Sequence, residues 1–119
     1  MYFFDTYALF ELIKANKEYE KYGNYPLKVS VLNIAELYWG LIKEIGKPKA
    51  DEWLKRFKFD IIIIDYDLII SAVSFRYEHK KRDISLVDSV GYLLAKKYGL
   101  KFLTGDKEFK DISNVEFVK

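Results

Sequence analysis

Asp83–Phe109, DISLVDSVGYLLAKKYGLKFLTGDKEF, decides how the chain is read. Its spacing predicts a helix opening at Ser85 and closing near Gly99, followed by a short apolar strand over Lys101–Thr104. Asp88 falls in the first turn of that helix, and Asp106 lies just past the strand. Running down, about ten helical residues at ~1.5 Å each cover roughly 15 Å. Running back, about four or five strand residues at ~3.3 Å each cover the same distance. Two acids eighteen positions apart are therefore expected at one edge of the fold. In an open α/β sheet that edge, outside the carboxyl ends of the strands, is where ligands sit.

Outward from this stretch the chain alternates. Tyr2–Phe4 is a short apolar run ended by Asp5. The spacing of Ala8, Leu9, Leu12 and Ile13 then predicts one helix from Thr6 to Gly23. Leu27–Val29, after Pro26, reads as a brief strand. From Ser30 a helix runs to Gly46 with an expected apolar face of Val31, Ile34, Ala35, Tyr38, Leu41 and Ile42. Pro48 opens an amphipathic piece, and Phe59–Ile64 is a β-branched strand. Asp65–Glu78 resumes helical spacing, and Val115–Val118 reads as a final strand. Strands alternating with helices imply an α/β fold, a parallel sheet with helices on both faces, in one domain over residues 1–119.

That layout brings two more acids to the edge. Asp5 ends the first strand, and Glu36 lies in the second turn of the helix after the second strand, off its apolar stripe. No lysine or arginine is placed by the sequence to neutralise all four. Crowded carboxylates repel, and a hard divalent cation with oxygen ligands, Mg²⁺ or Mn²⁺, is the usual compensation. Each acid also has a plainer reading. Asp5 precedes a helix as an N-cap would, and Ser85-Leu-Val-Asp88 has the form of a capping box. Asp106 beside Gly105 suits a turn, whereas Glu36 on a half-buried helix calls for a partner.

Composition narrows the chemistry. The 119 residues contain no cysteine and one histidine, His79, which removes thiolate metal sites, cysteine nucleophiles and a histidine acid/base pair. A net charge of +2 neither demands nor excludes nucleic acid. The longest apolar run, Ile61–Ile64, is far short of the ~20 residues of a membrane span, and the N-terminus lacks the basic start of a signal peptide. A soluble, cytoplasmic protein is expected.

The segments FDTYALFELI, LNIAELYWG, ISLVDSVGYLLA and FLTGDKEF resemble, in order and spacing, the motifs of PIN domains. The resemblance covers nearly the whole chain. It implies a three-layer α/β/α sandwich around a parallel sheet of four to five strands. It also implies a metal-dependent endoribonuclease, of which many are VapC-type toxins of toxin–antitoxin pairs. By the resemblance Asp5, Glu36, Asp88 and Asp106 are the metal-binding catalytic acids, served by one or two Mg²⁺ or Mn²⁺ ions, and Thr104 is the supporting hydroxyl. RNA is the implied substrate and an antitoxin the implied partner. Two departures stand out: Tyr7 replaces a small polar residue, and Gly91 and Tyr92 interrupt a helix that is usually alanine-rich.

Other features are weighed briefly. His79-Lys80-Lys81-Arg82 is a basic turn that reads either as a solvated loop or as an RNA phosphate contact. Gly40 to Pro48 brushes against a phosphate-binding loop, but its spacing is wrong and it ends a helix. Tyr38, Trp39 and Trp53 are an aromatic surplus that points to a homodimer interface. The rival reading is a phosphorelay receiver using Asp65 as phosphoacceptor and Thr104 as switch, although Asp5 lacks the adjacent acid that such a domain needs. A third is a PIN-like fold kept for binding or assembly alone.

Overall fold

The computed structural model describes residues 1–119. In order it contains β1 (Tyr2–Phe4), α1 (Thr6–Ile13), a 3-10 helix (Lys17–Asn24), β2 (Leu27–Val29), α2 (Val31–Ile45) and α3 (Lys47–Arg56). There follow β3 (Phe59–Ile61), α4 (Tyr66–Glu78), α5 (Leu86–Lys97), β4 (Lys101–Thr104), a 3-10 turn (Lys107–Phe109) and β5 (Val115–Phe117). The five strands form one sheet in the order β3-β2-β1-β4-β5, and every pairing is parallel. A receiver domain has the order 2-1-3-4-5, so that reading is set aside. Asp65 is instead the cap of α4, accepting from the Leu68 N–H at 2.8 Å and pairing with Lys97 at 3.1 Å. No helix is long and apolar enough to cross a membrane.

Alternation along the two central strands builds three layers. Phe3 and Phe102 point to one face, where they pack with Leu68, Ala72, Val90, Tyr92, Leu94 and Phe109 beneath α4 and α5. Phe4 and Leu103 point to the other, against Ala8, Leu9, Tyr19, Val29, Leu37 and Leu41 from α1, the 3-10 helix, β2 and α2. The Lys97–Asp65 pair ties the end of α5 to the start of α4. α4 therefore climbs back toward the edge at which α5 begins.

Three local expectations are corrected. The helix from Thr6 to Gly23 is two pieces, because Ala15 takes φ 57° and Asn16 caps a new start by accepting from the Glu18 N–H at 2.9 Å. The three-residue period of the second piece puts Tyr19 and Tyr22 on one side, where both are buried. On α2 the buried line is Asn33, Leu37 and Leu41, while Val31 and Ala35 face solvent. The helix is rotated because the Asn33 side chain is drawn inward by Ser30, whose N–H and hydroxyl both donate to its Oδ1. The strand expected over Phe59–Ile64 stops at Ile61: β3 is an edge strand, and Ile63 is 78% exposed.

Candidate active site at the switch point of the sheet

In this strand order the chain turns to opposite sides of β1, toward β2 and toward β4, and an open sheet leaves a crevice at such a point. Asp5 follows β1 and Asp106 follows β4, so both stand at that crevice. Their strands are in register, with Phe4 beside Leu103 and the Asp5 N–H donating to the Leu103 carbonyl at 3.1 Å. Thr104, fully buried, joins the two acids. Its hydroxyl donates to Asp5 Oδ2 at 2.7 Å and accepts from the Asp106 N–H at 3.1 Å.

Glu36 and Asp88 come in from helices. The Thr6 hydroxyl donates to Glu36 Oε1 at 2.7 Å and accepts from Asn33 Nδ2 at 3.1 Å. A chain Ser30–Asn33–Thr6–Glu36, buried at its Ser30–Asn33 end and half-buried at Thr6 and Glu36, thus fixes one carboxylate oxygen from the capping box of α2. Asp88 sits in a second capping box: its Oδ2 accepts from the Ser85 N–H at 3.0 Å, and its own N–H donates to Ser85 Oγ at 3.0 Å. Asp106 Oδ1 accepts from the Glu108 N–H at 3.0 Å. Asp5, by contrast, makes no side-chain cap bond to α1.

A common pattern emerges. Each of the four carboxylates gives one oxygen to a protein donor and leaves the other without one. For Asp5 that second oxygen, Oδ1, is also sealed from solvent and unpaired. Burial and then the negative charge of Asp88 push the Asp5 carboxyl up to about 8, against the lowering pull of the Thr104 hydroxyl. Burial is likewise the main cause that raises Asp88, with Asp106 and Glu36 adding their charge. The four acids therefore share one field. As the side chains stand, no three of them are close enough to enclose a single ion together.

Residues 2–115 match the sequence model of one family, the PIN domain. The chain belongs to the PIN-domain family. Solved structures of toxins and toxin–antitoxin complexes share its fold along their length. A toxin–antitoxin complex from Klebsiella pneumoniae is similar at 25% identity, with 97% of this chain and 95% of that chain covered and a TM-score of 0.74. The Sarcin-Ricin loop cleaving toxin VapC20 of Mycobacterium tuberculosis aligns over 100% of both chains at 19% identity, with a TM-score of 0.79. DNA-bound VapBC from Salmonella typhimurium aligns over 98% and 96% at 18% identity, with a TM-score of 0.77. No curated protein matches the sequence.

Both departures from the PIN motifs have packing reasons. Tyr7 is half-buried in the second core, and its ring lies against Gly105, where a Cβ would collide with Tyr7 and with the Val118 carbonyl. It thus supports the turn that carries Asp106. Gly91 lies under Phe3 and Phe102, and a Cβ there would stand 2.8 Å from the Phe3 ring. Tyr92 fills the same core and donates its hydroxyl to the Ser113 carbonyl at 2.7 Å.

Sequence reasoning passed over Thr6, Asn33 and Glu108. The first two were signalled by a hydroxyl directly after Asp5 and by Asn33 three residues beyond Ser30. The basic turn follows α4. Arg82 Nη1 donates to the Glu108 carbonyl at 2.6 Å, Lys80 stands over the Tyr77 ring, and Lys81 is exposed.

Proposed function

We propose that this PIN domain is an endoribonuclease that works with Mg²⁺ or Mn²⁺, in the cytoplasm, as the toxin of a toxin–antitoxin pair. The observation that carries the proposal is the set of four half-satisfied carboxylates at the switch point, above all the buried, unpartnered Asp5 Oδ1. An orphaned buried carboxylate oxygen is costly in a finished structure and suits a hard cation. The donor set suits such an ion in kind, all oxygen and all acidic, and Asp5, Glu36, Asp88 and Asp106 would draw closer together to hold one or two. When bound, a divalent cation supplies the positive charge that admits a phosphodiester anion and lowers the pKa of an attacking water.

The chain's own groups do the rest. Thr104 holds Asp5 and the Asp106 backbone in one frame, and Thr6 with Asn33 orients Glu36. Lys80, Lys81 and Arg82 bring cations to the same end of the fold and serve RNA phosphates.

The antitoxin reading is supported by the neighbours, among which are toxin–antitoxin complexes. A homodimer is supported by apolar residues left outside. Of the aromatic trio, Trp39 is 64% exposed. Tyr38 instead bonds Asp51 at 2.5 Å, and Trp53 packs on Phe57. The larger face is on α4, where Tyr66, Ile70 and Val73 line one side at helical spacing and all face solvent.

The test of the activity is incubation of the pure protein with structured RNA in Mn²⁺, in Mg²⁺ and in chelator. Cleavage in either metal and none in chelator is expected. RNA left intact in both metals would point to the third reading, a PIN fold that only binds.

A further inference from the structure

At the end of α4 a groove of about 480 Å³ is lined by Val73, Arg76, Tyr77, Lys80, Arg82 and Ile84, with Asp83 as its one acid. Its cations are uncompensated: none of Arg76, Lys80 or Arg82 takes part in an ion pair. Two are held in place by backbone. Arg76 Nε donates to the Ile84 carbonyl at 2.9 Å, and Arg82 Nη1 to that of Glu108 at 2.6 Å. Each guanidinium keeps further N–H groups for a ligand. Tyr77 is 67% exposed, and Lys80 Nζ stands 4.3 Å from its ring centroid, so a cation and an aromatic face form one patch.

The groove is tied to two of the four acids. Ile84 precedes Ser85, whose N–H donates to Asp88 Oδ2 at 3.0 Å. Glu108, whose carbonyl anchors Arg82, gives its own N–H to Asp106 Oδ1 at 3.0 Å, and its carboxylate accepts from the Asp83 N–H at 3.2 Å. The residues that line the groove are thus joined by single hydrogen bonds to those that hold Asp88 and Asp106.

We propose that this groove binds the single-stranded part of an RNA next to the bond to be cut, with an unpaired base stacked on Tyr77 and the adjoining phosphates on Arg76, Lys80 and Arg82. The proposal rests on the nuclease reading for its substrate and on the groove's own chemistry for its location. Three cations against one acid favour a polyanion. An exposed ring favours a base that is free to stack, which a continuous A-form duplex does not offer.

The experiment is fluorescence anisotropy of the full chain with a labelled oligouridine and with a duplex of equal length. It is run in chelator so that no cleavage intervenes, and over a series of salt concentrations. The single strand should bind more tightly than the duplex. Tyr77→Ala should weaken that binding by about ten-fold, and Tyr77→Trp should restore it. Lys80→Gln should lower the salt slope by about 0.7 for one lost phosphate contact on a single strand. Both side chains are exposed, so the fold survives either change.

Single-strand binding untouched by Tyr77→Ala and Lys80→Gln overturns the proposal. So does a Tyr77→Ala protein that binds RNA normally but sediments differently, which would make the groove a protein interface. Cleavage in Mn²⁺ with unaffected variants removes the groove and leaves the nuclease. Variant-sensitive binding with no cleavage in either metal supports the groove and removes the nuclease.

Discussion

The centre of the sheet and its β3–α4 flank break the rule of burial in opposite senses. At the centre Asp5, only 3% exposed, keeps one carboxyl oxygen buried and unpaired. On the flank Ile63 and Tyr66 are each 78% exposed. An orphaned buried acceptor costs about 1–3 kcal/mol, and more when it is charged. An apolar side chain left in water forgoes about 1.5–3 kcal/mol of burial. Under the proposed function both departures have one explanation: a cation would complete the centre, and a second copy would cover the flank. The chemistry of completion differs: the centre is short of positive charge, and the flank is short of apolar area.

Removing the charge at the centre sharpens that contrast most. Asp88→Asn keeps an amide oxygen able to accept from the Ser85 N–H, so the capping box survives. It removes one of the like charges, and in chelator the variant should melt at or above the wild-type temperature. In millimolar Mn²⁺ the wild type should gain stability by binding the ion only when folded, and the variant should lose most of that gain. RNA cleavage should fall by about a hundred-fold or more. A variant that loses equal stability with and without metal, and still cuts, would mean that Asp88 is a cap and nothing more.

The network behind Glu36 comes next. Thr6→Val preserves shape while taking away the donor to Glu36 Oε1 and the acceptor of Asn33 Nδ2. The buried Asn33 amide is then unpaired, which should cost about 1–3 kcal/mol. Adding Asn33→Leu should recover part of the loss by removing the stranded group. If thermal melts put Thr6→Val within experimental error of the wild type, the centre is not held as tightly as the hydrogen bonds imply.

The sequence was most legible where one residue does one thing. Phe3, Phe4, Phe102 and Leu103 alternate as central strands must, and the acids after those strands fall at one edge in consequence. It was least legible where a residue has two roles. In the sequence Asp88 reads as either cap or ligand, whereas the structure gives its Oδ2 to the cap and leaves its Oδ1 free. Asn33 is polar by composition but fully buried, and it turned α2 away from the face that hydropathy selects. Ile61–Ile64 reads as a strand covered on both sides, yet coverage depends on position in the sheet, which a local pattern does not record. The break at Ala15 depends on a left-handed φ that a non-glycine residue rarely adopts, so helical spacing ran straight through it.

Proton uptake separates the centre from the ordinary surface acids. The Asp5 carboxyl is raised to about 8 from an ordinary value of 3.8. Below the ordinary value the group is protonated in both folded and unfolded chains, and burial carries no penalty. Between about 4 and 8 the unfolded chain ionises while the folded chain keeps its proton, so stability falls as pH rises, and Asp88 acts in the same direction. Asp51 and Asp65 are lowered, chiefly by hydrogen bonds from Tyr38 and from the Leu68 N–H respectively. Their contribution is lost only as pH drops through their depressed values, outside this window. In chelator the melting temperature should therefore decline from pH 5 to pH 8, and saturating Mn²⁺ should flatten or reverse the slope. A rising slope in chelator would show that Asp5 is ionised in the folded protein without help.

The smallest effect on the fold belongs to the flank, and that smallness is the point. Ile70 faces solvent at the middle of the Tyr66–Ile70–Val73 line, so Ile70→Lys exchanges one exposed side chain for another. A change of this kind shifts monomer stability by no more than about 0.5 kcal/mol. If α4 is the seam of a symmetric pair, however, the same residue stands on both sides of the axis, and a single substitution puts two cations into one apolar contact. The assembly should then fall apart while the fold does not. Sedimentation at micromolar concentration should give twice the 14.1 kDa chain mass for the wild type and the single-chain mass for the variant. Melting should depend on protein concentration only for the wild type, because association stabilises by mass action. A wild type that sediments as a single chain would leave the flank's exposed residues without a second copy to cover them, and the symmetry between centre and flank would break there.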